Sequence, residues 1–412
     1  MNIGMMVNNL ATSGGYQKLV IRLTQELQRR GHLVTIYTPL FDPVACFPEM
    51  IGDCTVVTMS VESTQLNNHL GLLARISRML AEPLSEARRY SQLAKLVSPE
   101  TDHLIIHDDY SLYALPWVPQ LRHQGKVLWM LNNQLPDEYQ SLSHYLRARF
   151  AGTGFHLLPM MFKLLQLPNF IRAYRLIMKG VARVSVFATY DNFNKGLVRT
   201  ILHRDATNVS AGADTIEFER LYTSRHAPRA DAFRLLSVGV IFPHRRYEDI
   251  LRATALLNDS GFSIQTTIVG SAKHAPEHVR HLKLLTQELG IEQRVRFLQY
   301  IPTNELHELY RQADAFVFVN DGFTWGISVF EAIAAGVPVI ITNNIGAADL
   351  VQNRKHGWVV RPRSPVEIAE AIRDIHSGQH LSAIIEAGRR EILSSVSWSA
   401  YTDRLLVCLN PA

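Results

Sequence analysis

The stretch Asp321 to Ile340, D-G-F-T-W-G-I-S-V-F-E-A-I-A-A-G-V-P-V-I, is the part of the chain whose residue types and spacing best suit chemistry. Ser328 and Glu331 have capping-box spacing ahead of an apolar helix that Gly336 closes, with Pro338 just beyond. The same glutamate, in the first turn of a helix at a strand end, can accept hydrogen bonds from a ribose diol, as acidic residues do in nucleotide-binding sheets. Both roles fit one location. A second cluster, His244-Arg245-Arg246, precedes a helix beginning near Tyr247. Helix N-termini are electropositive, so arginines there need an anion between them and the amides, although Glu248 and Asp249 partly answer the dipole. Arginine suits phosphate because its planar fork pairs bidentately and stays charged. A solvated basic turn is the plain alternative.

Three smaller features complete the candidate chemistry. Gly14-Gly15 lies between a strand and a helix, where glycines let amides approach an anion or simply make a tight turn. This is not the six-residue dinucleotide fingerprint, so no nicotinamide cofactor is expected. His107 closes an apolar run and precedes Asp108-Asp109; a lone histidine at a strand end is more often structural than catalytic. Asn132 and Asn133 end the next run and are placed to line an acceptor side. The chain has no Asp-x-Asp and no His/Cys ligand spacing, and Asp108 and Asp109 cannot both face one ion from an extended strand, so no metal is expected.

These residues need a scaffold. Asn2 to Val7 reads as a strand, and Gln17 to Arg30 as a helix with Leu19, Leu23 and Leu27 on one face; Gly31 ends it before LVTIYTP returns as a strand. Further strands are predicted at Cys54–Met59, His103–His107, Lys126–Leu131 and Val184–Ala188. A second strand–helix alternation runs from LLSVGV near Phe233 through VPVIIT to a helix over Pro365–His376. Such alternation predicts parallel sheets with right-handed crossovers, and ligands bind at the carboxyl ends of their strands. The expected fold class is α/β, two facing Rossmann-like domains with an inter-domain cleft.

Composition fits a soluble, two-domain protein: 412 residues, 47% hydrophobic and 19% charged. Cys46, Cys54 and Cys408 are too few and too scattered for a disulfide framework or a zinc site, which points to a reducing, cytoplasmic setting. The opening residues lack the pattern of a signal peptide, and no uninterrupted apolar run is long enough to span a bilayer. The net charge of +5 has a local source. Between Tyr139 and Tyr190 stand seven basic residues (Arg147, Arg149, Lys163, Arg172, Arg175, Lys179, Arg183) and no acidic one; the remainder carries 35 basic against 37 acidic residues. With Leu157, Leu158, Met161, Phe162, Leu164, Leu165 and Leu167 interleaved, this segment is either a packed helix with a solvated face or an element that meets anionic membrane through residues 145–183. Aliphatic rather than aromatic interleaving argues against nucleic acid.

The order of these residues resembles the retaining GT-B glycosyltransferases of family 4. Gly326, Glu331, Ala332, Ala335, Gly336, Pro338 and Val339 match, followed by Ile345-Gly346. Gly14-Gly15, Arg30-Gly31-His32, Gly212-Ala213-Asp214 with Phe218, and Gly357-Trp358-Val359-Val360 extend the likeness over nearly the whole chain. The resemblance implies an N-terminal acceptor-side domain over 1–213, a nucleotide-sugar domain over 214–396, and a last helix in 397–412 that crosses back. It implies transfer of a sugar from a nucleotide-diphosphate donor to a glycan, lipid-linked or small-molecule acceptor, with retention and without cofactor or metal. Arg245 falls at a diphosphate-gripping position, while Val240 replaces a second cation that Arg246 is expected to supply. His107, after Asp102, would bind the transferring sugar, oriented by Asp108 or Asp109, and Gly14-Gly15 would close over the donor. Asp321, Phe323, Thr324, Trp325, Gly326, Ile327 and Ser328 form the implied donor loop. Phe323 stands where the family usually has a glutamate that contacts the donor sugar. Either Asp321 reaches that place, or Phe323 and Trp325 present an apolar wall, or the chain is a catalytically silent glycan-binding or partner subunit. A nucleotide-sugar epimerase of the same fold is a further alternative.

Overall fold

The computed structural model describes residues 1–12, 14–59, 80, 82–132, 135–151, 157–223, 232–271, 275–299, 301–322 and 324–410. The chain divides into two compact units, Met1–Val209 with Thr402–Ala412, and Ser210–Tyr401. Each is built on one parallel sheet.

The first sheet contains β1 (Asn2–Met6), β2 (Leu33–Thr38), β3 (Thr55–Thr58), β4 (His103–Ile106), β5 (Val127–Leu131), β6 (Val186–Thr189) and β7 (Ala206–Asn208), in the order β3-β2-β1-β4-β5-β6-β7. All its pairs are parallel. The apolar runs of β1, β4 and β5 follow from burial on both faces, which removes the alternation of a half-exposed strand. The helix Gly15–Arg29 buries Leu19, Leu23 and Leu27, and Gly31 ends it at φ +83°. Order reverses between β1 and β4, so the loops after Met6 and Ile106 form the switch point of this sheet.

The second sheet contains β8 (Phe233–Val238), β9 (Ile264–Val269), β10 (Val295–Leu298), β11 (Ala315–Phe318), β12 (Val339–Thr342) and β13 (Trp358–Val360), in the order β10-β9-β8-β11-β12-β13. Here too every pair is parallel, and the switch point lies between β8 and β11. The helices Tyr247–Asp259 and Pro365–Ser377 bury apolar faces in the core of this unit. Gly212 lies against the Trp398 ring, whose Nε1 donates to Asp214 Oδ1 at 2.8 Å, so packing accounts for that motif. The last helix, Trp398–Leu409, begins in the second unit and passes into the first at Thr402. Within the first unit Arg404 Nε donates to the Val209 carbonyl at 2.7 Å and Asp403 pairs with Arg30 at 2.5 Å.

Among the described residues no helix is long and apolar enough to cross a membrane. The basic segment forms the helices Leu142–Phe150 and Leu157–Arg183, the second with Pro168 inside it. Of the apolar residues interleaved there, Met161, Leu164 and Leu165 are exposed rather than core. Leu157, Leu158 and Phe162 lie outside the described side chains.

Candidate functional site

Two groups of residues collect at the two switch points, one in each unit. In the second unit Arg245 lies in the short turn after β8, its guanidinium 4.7 Å from the centre of the Phe318 ring at the end of β11. Its Nε and Nη1 are buried with no hydrogen-bond partner among the described residues, and burial lowers its pKa. A guanidinium carries five donors and no acceptor, so this arrangement asks for an anion. Asn320, two residues past β11, is fully buried, and its Oδ1 likewise has no partner among the described residues. Nothing in the spacing of the sequence singled it out. Tyr247 Oη donates to the Gly239 carbonyl at 2.9 Å, and burial pushes that phenol up to about 12. This bond ties the end of β8 to the start of the helix after Arg245.

Several expectations for this half are corrected. Ser328 and Glu331 do not form a capping box: the helix Ile327–Ala334 is preceded by Gly326 at φ +87°, and Ser328 Oγ donates instead to the Val238 carbonyl at 3.1 Å. The left-handed glycine sets the helix start two residues before the capping spacing requires. Glu331 therefore sits in the second turn, not the first, buried and accepting from Tyr310 Oη at 3.4 Å. Arg246 does not stand free beside Arg245, because its fork is paired with Asp249 at 2.9 and 3.1 Å. Asp321 faces outward and is paired with Arg363, which holds its carboxyl below the usual range. Trp325 is no wall for a ligand. It is buried, its ring 5.2 Å from that of Phe330 and packed against Gly346. The Thr324 carbonyl accepts from the Gly346 amide at 2.8 Å, and Phe323 lies outside the described residues.

In the first unit the fully buried His107 follows β4, its amide donating to the Met6 carbonyl at 3.0 Å. Both ring nitrogens lack partners among the described residues. The expected orienting groups are engaged elsewhere. Asp108 accepts from the Ser111 amide at 2.9 Å and from Tyr16 Oη at 3.1 Å, and Asp109 accepts from Tyr139 Oη at 3.3 Å. Asp102 lies at the other end of β4 and receives the Asn2 amide at 2.7 Å, so its place in the pattern is structural. Asn132 Nδ2 donates to the His107 carbonyl, and Asn133 lies outside the described residues. His107, Asp108, Asp109 and Asn132 line one open pocket of about 540 Å³. Gly14 opens the helix Gly15–Arg29 without a side-chain cap and with no acidic residue in the first turn. Its amides are not answered by a local carboxylate.

The charge states of this pocket oppose each other. Burial drives His107 down to about 3, while burial and then the Asp109 charge push Asp108 up to about 7. Stability from a depressed histidine is present above its ordinary 6.5 and lost as pH falls toward 3; stability from a raised aspartate is present below its ordinary 3.8 and lost as pH rises toward 7. Between about pH 4 and 6.5 the two slopes offset one another. Asp108→Asn should therefore make stability climb with pH across that window by roughly 1–2 kcal/mol relative to the unchanged chain. Urea unfolding at several pH values reads this out, and parallel profiles would show that Asp108 does not hold the proton.

Among the described residues no group of three or more His, Cys, Asp or Glu side chains is placed to hold a metal ion. Comparison with known proteins adds a family. Residues 221–391 match the glycosyl transferases group 1 family. The chain is 31% identical over 209 residues to the D-inositol 3-phosphate glycosyltransferase of Saccharomonospora viridis, covering 48% of each chain. It is 28% identical over 169 residues to an uncharacterized glycosyltransferase of Methanocaldococcus jannaschii, covering 41% of this chain and 42% of that protein. The matches span about half the length of these curated relatives. Among solved structures, Anabaena HepE in complex with UDP superposes with a TM-score of 0.69 at 16% identity over 98% of each chain. WaaG, a glycosyltransferase involved in lipopolysaccharide biosynthesis, does so with a TM-score of 0.62 at 18% identity over all of both chains. At these identities the likeness establishes the fold, two Rossmann-like units of the GT-B type. It is residues 221–391, which carry Arg245, Asn320 and Glu331, that match the glycosyl transferases group 1 family.

Proposed function

We propose that the chain is a glycosyltransferase that moves a sugar from a nucleoside-diphosphate sugar to a glycan, lipid-linked or small-molecule acceptor, with retention of configuration and without a metal ion. The observation that carries this is Arg245, whose buried N–H groups lack a partner among the described residues at the switch point of the family-matched unit. In the reaction its fixed charge takes up the negative charge that grows on the leaving diphosphate, and a preorganised donor does so with little reorganisation. The donor's diphosphate lies at Arg245 and its ribose near Glu331. His107, held neutral by its burial, offers an uncharged ring to the transferring sugar. The leaving phosphate oxygen accepts the acceptor hydroxyl's proton, so no side chain need act as base. UDP, bound by a structure of this fold, is the first donor nucleotide to test.

A thermal-shift screen with UDP, GDP and ADP tests the nucleotide site; no shift with any of them would sink it. The ribose assignment has its own test. Glu331→Gln should weaken UDP binding by about tenfold, as loss of a charge-assisted bond does, yet leave 2′,3′-dideoxy-UDP binding unchanged. An equal loss for both ligands would place Glu331 in a structural role with Tyr310.

The sequence feature that favours a second reading is Phe323. If UDP-sugars bind and no acceptor is ever glycosylated, the chain is a silent glycan-binding or partner subunit; if the donor sugar is isomerised without acceptor, it is an epimerase. We also propose a cytoplasmic protein in peripheral contact with anionic membrane through residues 145–183. Met161, Leu164 and Leu165 are exposed on the helix Leu157–Arg183, and Arg172, Arg175 and Lys179 continue its exposed side. Sedimentation with phosphatidylglycerol vesicles, but not with phosphatidylcholine vesicles, is expected, and Leu165→Glu should weaken it several-fold.

A further inference from the structure

Next to the His107 pocket lies a second one of about 590 Å³, the two sharing Asp109 and Pro136. Tyr113, Tyr139, Tyr145 and Tyr174 supply much of its wall. Tyrosines from four separate segments of chain meet here because the helices Leu142–Phe150 and Leu157–Arg183 pack beside the segment after β4. We infer that this pocket is the acceptor subsite and that it takes an uncharged sugar ring, free or at the end of a glycan. The inference rests on the transferase reading above and names its substrate class.

Surface and charge each support it. Aromatic rings with hydroxyl tips present an apolar body to the C–H face of a sugar and hydrogen-bonding groups to its edge. Tyr145 packs against Tyr174 with ring centres 5.4 Å apart at 47°, which holds the less buried Tyr174 ring in the pocket wall. The charges decide between neutral and phosphorylated acceptors. Arg149 Nη2 is already paired with Glu138 Oε2 at 2.9 Å, and its guanidinium lies 4.8 Å over the Tyr145 ring. Asp109 adds a carboxylate that, among the described residues, accepts from Tyr139 Oη. With one cation against two carboxylates, a phosphate would meet net repulsion, whereas sugar hydroxyls can donate to Asp109 and Glu138. Asp109 also marks the way to the reaction centre: a ring among the tyrosines places an edge hydroxyl at the opening toward His107.

Saturation-transfer NMR on the full chain with UDP present tests this. The probes are the methyl glycosides of glucose, galactose, mannose and N-acetylglucosamine, with glucose 6-phosphate and inositol 3-phosphate as the charged arm. At least one neutral glycoside should bind, about tenfold tighter than either phosphorylated compound, and Tyr174→Ala should weaken it about tenfold. Tyr145→Phe, which keeps the buried ring, should give a smaller loss and guards against misfolding as the cause. The UDP-induced melting shift should be unchanged in both variants. Binding of the phosphorylated compounds in preference, no neutral glycoside binding, or binding indifferent to Tyr174→Ala would each overturn the inference. If UDP shifts the melting temperature while the glycosides fail, the acceptor inference falls alone; if UDP fails too, the transferase reading falls first.

Discussion

Replacing Arg245 with alanine is expected to lower transfer from a UDP-sugar by about 10²–10³-fold while leaving the protein no less stable. The two effects have one cause. Water cannot reach Nε or Nη1 of this side chain, no described residue accepts from them, and burial already pulls its pKa down. The Phe318 face at 4.7 Å returns only part of the lost hydration, about 0.5–2 kcal/mol for a cation over an aromatic ring. The folded protein therefore bears the cost of a half-satisfied cation, which a bound anion would relieve. Arg245→Met separates charge from packing, since a thioether chain can still cover Phe318. Its unfolding free energy should match or exceed that of the unchanged chain by roughly 1 kcal/mol, with UDP binding lost. Steady-state kinetics and urea unfolding on the same preparations check both halves. Normal turnover in Arg245→Ala, or a large loss of stability in Arg245→Met, would mean that the guanidinium is a structural group.

How far this site could be read from the sequence depends on the range of the signal. Arg245 was legible because its turn is local: a basic pair before a helix is visible within five residues. The strands β1, β4 and β5 were legible because burial on both faces makes them largely apolar runs. The three-residue β7, Ala206–Asn208, was not, since so short an edge strand carries no period to detect. The capping spacing misleads because Ser328 and Glu331 keep it while a left-handed Gly326 moves the helix start and turns Ser328 toward Val238. Similarly, Asp108 and Asp109 are adjacent to His107 in sequence, yet they are taken up by Ser111 three residues on and by Tyr16 and Tyr139 from elsewhere in the chain. Asn320 and the tyrosine pocket were missed altogether. The tyrosines are spread over Tyr110 to Tyr174, and only the packing of two helices gathers them.

The same dependence on close packing makes Gly270→Ala the most damaging single methyl expected in the donor half. An added Cβ at Gly270 would stand 1.9 Å from the Gly239 carbonyl oxygen and 2.9 Å from its carbon, so backbone rather than a side-chain tip must give way. Gly239 cannot yield freely. Its amide is fixed to the Val269 carbonyl at 2.9 Å, and its carbonyl is held by Tyr247 Oη at 2.9 Å. A shift of about an ångström there propagates along two short links, through Tyr247 to the helix start and so to Arg245, the residue on which diphosphate binding is argued to depend. Overpacking a close-packed site costs about 1–3 kcal/mol, and a clash with a doubly tied carbonyl belongs at the upper end. Gly270→Ala should accordingly lose about 3 kcal/mol in urea unfolding and its UDP-induced melting shift together. Gly196→Ala is the matched control: it lies in the helix Asn192–Leu197 with nothing within 4 Å of the added methyl, so it should gain about 0.5–1 kcal/mol and leave UDP binding intact. Should Gly270→Ala bind UDP normally at a temperature where it is folded, the carbonyl of Gly239 would not be what holds Arg245 in place.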